Sequence, residues 1–198
     1  HDLRKACQKE VIFLAVPMQQ LSALLSKIET NLDAKVLIAC CKGIDLSTVQ
    51  GSTGIIKQLA PRAEAAILTG PSFASDLAKG LPTALTLACR STEVGKKIQH
   101  EIATGALRIY RSEDVSGAEL GGALKNVVAI ACGITIGAGL GDSARAALMT
   151  RGYSEICRMA LALGANPETL SGLSGLGDLS LTCMSEGSRN YRFGHALG

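Results

Sequence analysis

Short apolar runs alternate with helix-like segments over the first half of the chain. Residues 11–16 form a continuous apolar run that ends at Pro17, and a second run at 36–41 ends at Lys42 and Gly43. A strand buried on both faces of a parallel sheet has such an unbroken run. We expect further strands at 65–69, 83–89 and 107–110, and helices at 21–28, 53–59, 73–79 and 93–104. The alternation predicts an α/β fold with a doubly wound, Rossmann-type parallel sheet.

The predicted strands end in segments that could bind a ligand. Pro17 follows the first strand, Lys42 and Gly43 the second, and a Gly-Pro-Ser turn at 70–72 the third. In open α/β sheets ligands bind beyond the carboxyl ends of the strands. We therefore expect these three segments to lie on one rim and to face a ligand.

After residue 111 the pattern changes to long helices. Residues 116–136 and 143–163 are predicted as helices, and Gly164 is placed to cap the second of them. Asn166 and Pro167 have the N-cap and first-turn preferences of a third helix. A glycine-rich segment at 172–178 and a polar stretch around 188–190 follow. We place the boundary near residue 114, which gives a sheet domain at 1–114 and an all-α domain at 115–198.

Composition narrows the class of protein. A net charge of +3 is too small for a nucleic-acid-binding surface, and 3% aromatic residues with no Trp argue against a platform for stacked bases. Abundant Ala and Gly predict close packing between helices. The seven cysteines contain no C-x-x-C pair and the three histidines no zinc spacing, so we expect reduced thiols, no metal and a cytoplasmic protein. The longest uncharged stretch, 127–141, is too short and glycine-rich to predict a membrane span.

Lys125 is the strongest local signal for chemistry. It interrupts an apolar helix, where a charged ammonium group costs free energy unless it is paired or hydrated. Burial could also lower its pKa toward neutrality, which suits proton transfer. The alternative is a solvated stripe along the helix, since lysine is rarely fully buried. The residues three and four positions away favour burial slightly, because they are Gly121, Gly122, Val128, Ala129 and, seven positions on, Cys132.

Other polar residues each have two interpretations. Asp178 could be a counter-charge for Lys125 or simply a helix N-cap. The Ser188-Arg189-Asn190 segment matches a phosphate but also resembles an ordinary surface turn. The turn at 70–74 could bind an anion or only cap a helix. No G-x-G-x-x-G follows a strand, and the nearest approach, at 137–141, follows a helix, so the chain has no dinucleotide fingerprint of its own.

Taken in order, these segments resemble the bacterial-type NAD(P)-dependent glycerol-3-phosphate dehydrogenase family. The matching stretches are 15–17, 41–44, 68–74, 119–127, 150–152, 172–179, 182–183 and 188–190. The resemblance covers nearly the whole chain. It implies reduction of dihydroxyacetone phosphate to sn-glycerol 3-phosphate with NADH or NADPH, for glycerophospholipid biosynthesis, in a cytoplasmic enzyme that could be a homodimer.

The resemblance also implies roles for individual residues. Lys125 would be the proton donor and acceptor. The substrate ligands would be Lys42, Gly70, Ser72, Asp178, Ser188, Arg189 and Asn190, with Thr182 as a further candidate. The residues near NAD or NADP would be Lys42, Ala74 and Arg189.

The chain departs from the family by lacking the opening strand, glycine-rich loop and helix, and the family's last helices. We therefore expect it to be part of a longer chain, with its first strand as an open sheet edge and with the selector between NADH and NADPH outside it. Two alternatives stay open at this stage. One is a β-hydroxyacid dehydrogenase, which also uses a helix-borne lysine, and the other is a non-catalytic dimerising or binding fragment.

Overall fold

Five strands form one mostly parallel sheet in the computed structural model, which describes residues 3–28 and 32–198. The strands are β1 (Val11–Leu14), β2 (Val36–Ala39), β3 (Glu64–Thr69), β4 (Thr83–Cys89) and β5 (Leu107–Ser112). They lie in the order β1-β2-β3-β4-β5, so β1 is an edge strand among the described residues, as the sequence predicts. The apolar runs are buried because helices cover both faces.

The direction of β4 differs from the predicted parallel arrangement. β1, β2 and β3 are parallel, but β4 runs antiparallel to β3 and β5 runs parallel to β4. A parallel return needs a long crossover, usually an α-helix that spans the sheet. The connection from β3 contains only α4 (Ala74–Ala78), so the chain turns back at the same edge. The longer α5 (Thr92–Ile102) makes the parallel crossover from β4 to β5.

Helices on the two faces form separate apolar clusters. α2 (Met18–Ser26) and α3 (Ser52–Leu59) pack on one face of β1–β3, where Leu21, Ile55 and Ile56 are almost fully buried. α5 packs on the opposite face through Ile98. The short α1 (Leu3–Ala6) precedes β1.

The remaining residues are helical. They form α6 (Val115–Gly137), α7 (Gly141–Ala162), α8 (Pro167–Ser171), a π-helical turn (Leu173–Gly177), α9 (Asp178–Met184) and α10 (Arg189–Leu197). Asn166 caps α8 by accepting a hydrogen bond from the Glu168 N–H at 2.9 Å, as predicted. The π-helical turn, α9 and α10 occupy the stretch for which the sequence predicts only glycine-rich and polar segments.

α6 is the central helix of this part, and close backbone contacts hold α10 against it. A Cβ added at Gly133 of α6 would lie 2.1 Å from the Tyr191 carbonyl oxygen, and one at Gly194 of α10 would lie 2.0 Å from the Ile130 carbonyl oxygen. The predicted packing by small residues is therefore confirmed at this crossing. By length and composition alone α6 could cross a membrane, but it contacts α7, α9 and α10 and carries a buried lysine.

Candidate active site

The site begins where β1, β2 and β3 end, on a single rim of the sheet. The parallel pairing of these strands brings their carboxyl ends together. There the Lys42 Nζ, from the segment after β2, donates to the Gly70 carbonyl oxygen, from the segment after β3, at 3.2 Å. The predicted convergence of these two segments is therefore observed.

Lys125 enters the site from the middle of α6. Its side chain is buried, with only 6% of its surface exposed, so the alternative of a solvated stripe is wrong. The Nζ donates to Asp178 Oδ1 at 2.8 Å and to the Thr182 hydroxyl at 2.5 Å. The ammonium group is thus paired, as its burial in an apolar helix requires.

Asp178 joins the two lysines. Its Oδ2 accepts from the Lys42 Nζ at 2.6 Å while its Oδ1 accepts from Lys125, and the side chain is almost fully buried. It is the first residue of α9, but its side-chain oxygens bind the lysines and cap no helix. The interpretation of Asp178 as an N-cap is therefore wrong, and the counter-charge interpretation agrees with the geometry. One carboxylate holds a lysine of the sheet region and a lysine of the helical region together.

The surroundings lower the pKa of Lys125 below its ordinary value. Burial is the largest cause, and the positive charge of Lys42 is the next. Asp178, through its charge and hydrogen bond, and the Cys183 thiol oppose the shift. A lysine with a lowered pKa exchanges a proton more readily near neutral pH.

These groups open onto a cleft of about 500 Å³ between the sheet rim and α10. Ser188 caps α10 by accepting from the Tyr191 N–H at 3.2 Å, and Asn190 donates to the Asn126 side-chain oxygen at 2.8 Å. The cleft is lined by Ser72, Phe73, Lys125, Asn126, Asp178, Thr182, Gly187, Ser188, Arg189, Asn190 and Phe193. A buried ammonium group and a guanidinium group therefore face one space, an arrangement suited to an anionic molecule that exchanges a proton.

Most of the residues predicted for the site come together here. Lys42 and Gly70 do not line the cleft; Lys42 is joined to it by its bond to Asp178, and Gly70 by its bond to Lys42. Ala74 is exposed at the start of α4, next to Phe73. Phe73 belongs to the turn at 70–74 that could bind an anion, whereas Phe193 has no signal in the sequence, since an isolated aromatic residue does not reveal its position.

A second cleft of similar volume lies between β5 and α8, and neither lysine lines it. It is lined in part by Tyr110, Arg111, Glu168 and Leu173. It contains none of the residues predicted for the site. The paired lysines therefore favour the first cleft as the place of chemistry.

Comparison with known proteins finds relatives that share one name and match almost the whole chain. Two family models match, one described as NAD-dependent glycerol-3-phosphate dehydrogenase N-terminus at residues 1–95, and one described as the C-terminus of the same enzyme at residues 114–198. A glycerol-3-phosphate dehydrogenase (NAD(P)+) from Cereibacter sphaeroides is 63% identical over 187 residues, which are 94% of this chain and 61% of that protein. The protein of the same name from Paramagnetospirillum magneticum is 50% identical over 191 residues, 96% of this chain and 70% of that protein.

A solved structure shares the fold. The crystal structure of glycerol-3-phosphate dehydrogenase from Coxiella burnetii superimposes with a TM-score of 0.94 at 35% identity, and the match covers 99% of this chain and 61% of that one. The chain thus spans about three fifths of the length of most of these proteins.

Proposed function

Because this chain belongs to the NAD-dependent glycerol-3-phosphate dehydrogenase family, we propose that it forms the substrate-binding and proton-transfer part of an enzyme that interconverts dihydroxyacetone phosphate and sn-glycerol 3-phosphate. The observation that carries the proposal is the buried Lys125–Asp178–Lys42 arrangement beside a cleft that Arg189 also lines. In this proposal residues 1–114 belong to the nucleotide-binding domain and residues 115–198 form the substrate domain.

Lys125 is the proton donor of the reduction. Its ammonium group faces the cleft and gives a proton to the oxygen that develops negative charge as the carbonyl is reduced. Asp178 and Thr182 orient the Nζ through their hydrogen bonds. In the reverse direction the neutral amine of Lys125 accepts the proton of the substrate hydroxyl.

The substrate phosphate binds at the start of α10. The Arg189 guanidinium group can form two parallel hydrogen bonds to phosphate oxygens, and Asn190 and Ser188 are beside it. The phosphate is remote from the reacting carbon, and anchoring it orients the carbonyl next to Lys125.

NADH or NADPH would supply the hydride when bound. The residues on this chain that would contact it are Lys42, Ala74 and Arg189. They fit an anionic dinucleotide because Lys42 is a cation at the sheet rim, Arg189 is a cation on the α10 side of the cleft, and Ala74 is a small, exposed side chain.

The cellular setting is part of the same proposal. We place the enzyme in the cytoplasm, as a homodimer that supplies glycerol 3-phosphate for glycerophospholipid synthesis. The seven cysteines, all of them free, support the placement in a reducing compartment.

The test is an absorbance assay of NADH consumption by the whole natural polypeptide that carries these residues. We expect turnover with dihydroxyacetone phosphate and none with a keto acid of similar size. Lys125→Ala should abolish turnover and leave the circular dichroism spectrum unchanged. Turnover with the keto acid alone would instead indicate a β-hydroxyacid dehydrogenase, and a Lys125→Ala protein with near-normal turnover would contradict the proton-transfer role.

A further inference from the structure

Glu119 joins the helical region to the sheet region through a contact that neither the proton transfer nor the phosphate binding explains. From α6 its Oε1 accepts from the Ser52 hydroxyl at 2.7 Å and from the Thr53 N–H at 2.8 Å, and its Oε2 accepts from the Thr53 hydroxyl at 3.1 Å. The α3 helix begins at Ser52, and its N-cap residue, Gly51, has no side chain that could cap it. Glu119 therefore caps α3 from another helix, satisfying an N–H group that would otherwise lack a partner.

This contact joins the two elements that carry the lysines. Lys42 lies in the segment between β2 and α3, and the start of α3 is where that segment ends. Lys125 lies on α6, six positions after Glu119. Both lysines bind Asp178, so the position of one element relative to the other decides whether they can share that carboxylate.

The place of the Glu119 carboxylate is narrowly defined. A Cβ added at Gly51 would lie 2.2 Å from its Oε2 and 2.7 Å from its Oε1, so a larger residue at this position would displace the carboxylate. Ser52 and Thr53 are both buried. Burial raises the pKa of the neighbouring Cys41 thiol to about 11, and the Glu119 carboxylate adds to that rise. Cys41 directly precedes Lys42, so the carboxylate is electrostatically close to the start of the segment, while its hydrogen bonds are at the end.

We propose that Glu119 is a positioning residue for the reaction, which holds the Lys42 segment against α6 so that Lys42 and Lys125 meet on Asp178. This inference rests on the proposed function. A purely structural Glu119 would stabilise the fold without changing the protonation of Lys125.

The pH profile separates these two roles. The charged and titratable groups facing Lys125 are Lys42 from the β2–α3 segment, Asp178 and Cys183 from α9, and Arg189 across the cleft from α10. If Lys42 moves away, Lys125 loses a neighbouring positive charge and keeps Asp178 to itself. Both changes raise the pKa of Lys125. The reduction needs the ammonium form of Lys125, so it has a high-pH limit, the pH above which its rate falls. This limit then moves to higher pH.

The experiment compares four variants in the whole natural polypeptide. We expect Glu119→Ala to lower kcat for dihydroxyacetone phosphate reduction by about 10- to 100-fold, the effect of a small misplacement of a catalytic group. The high-pH limit should move upward. Glu119→Gln keeps the shape and can still accept from Ser52 and Thr53, so it should restore most of kcat. Gly51→Ala displaces the carboxylate, so its kcat and high-pH limit should resemble those of Glu119→Ala. The double variant Gly51→Ala/Glu119→Ala should have a kcat no lower than that of either single variant.

Asp114→Ala is the matched control. The Asp114 carboxylate also joins two elements, accepting from the Gly117 N–H and the Asn166 N–H at 2.8 Å each, but it does not touch the Lys42 segment. It should lower the thermal stability and leave the pH profile unchanged. If Glu119→Ala behaves like Asp114→Ala, Glu119 is only structural and the inference is wrong. Should Glu119→Ala fail to fold, Gly51→Ala decides the question by the same criterion. An active Lys125→Ala protein would contradict the proposed function instead.

Discussion

Replacing Asp178 with asparagine removes the negative charge that Lys42 and Lys125 share. The two Nζ–O distances are 2.6 and 2.8 Å, and the Asp178 side chain is only 2% exposed. The amide of asparagine keeps the size and one acceptor oxygen. The variant therefore changes the charge with little change in packing.

The expected loss of stability follows from burial. Removing one partner of a buried ion pair costs about 3–5 kcal/mol, because the remaining charge is left without compensation. Two features keep the expected loss of stability near the lower end of this range. The Lys42 side chain is 22% exposed and keeps some hydration, and Lys125 can lose its proton. We expect the free energy of unfolding at neutral pH to fall by about 3 kcal/mol.

Asp142→Asn is the matched control. Asp142 pairs with Arg145 at the same 2.8 Å as the Asp178–Lys125 pair, but its side chain is 83% exposed. Because the Asp142 carboxylate keeps its hydration, its pair with Arg145, whose side chain is 18% exposed, contributes about 1 kcal/mol or less. Urea unfolding of both variants, followed by circular dichroism, compares the loss of a buried carboxylate with the loss of an exposed one at the same ion-pair distance. Equal losses in the two variants would refute the reasoning.

The pH dependence provides a second readout. The pKa of Lys125 is already lowered, mainly by burial and then by Lys42. Unfolded Lys125 therefore binds a proton in a pH range where the folded form has lost it, so stability rises with pH across that range. Without Asp178 the pKa falls further and the range extends to lower pH. The deficit of the Asn variant should shrink as the pH rises, and a deficit that grows would contradict this assignment.

Two further predictions concern α10. Arg189→Ala should weaken binding of glycerol 3-phosphate by about 1.5–3 kcal/mol in calorimetric titration. Arg192→Ala, three positions later and outside the cleft lining, should not, and an equal loss in both would argue against a phosphate site. Gly133→Ala should cost about 1–3 kcal/mol of unfolding free energy or more, since its Cβ would meet the Tyr191 carbonyl oxygen at 2.1 Å. Gly105→Ala, with nothing within 4 Å, should be nearly neutral, and similar losses in both variants would contradict the proposed close packing.

The sequence carries enough information for most of the sheet but not for the direction of every strand. The unbroken apolar runs identify the strands because burial on both faces excludes polar side chains. An apolar run such as β4 reads the same in either direction, however. The direction of β4 depends on the short α4 connection, which is too short for a parallel crossover. That effect shows only in the folded chain.

The residues of the site likewise divide into those with a local sequence signal and those whose role depends on distant partners. Local pattern leaves Lys125 between a buried and a solvated position, because its partner Asp178 lies 53 positions away along the chain. The start of α10 does have a local signal, since Ser188 has the N-cap preference that would predict a helix after it. Glu119 has none, because its partners Ser52 and Thr53 are far away in sequence and meet it only in the folded chain.

The shared carboxylate makes the pKa of Lys125 a measure of how the two regions fit together. Loss of Asp178 removes an attraction and leaves the Lys42 charge in place, so the pKa of Lys125 falls. Loss of the Glu119 contact releases Lys42 and leaves Asp178 in place, so the pKa rises. The high-pH limit of the reduction must therefore move in opposite directions in Asp178→Asn and Glu119→Ala. General destabilisation of the fold cannot produce shifts of opposite sign, so the pair of profiles isolates the electrostatic coupling of the two lysines from stability.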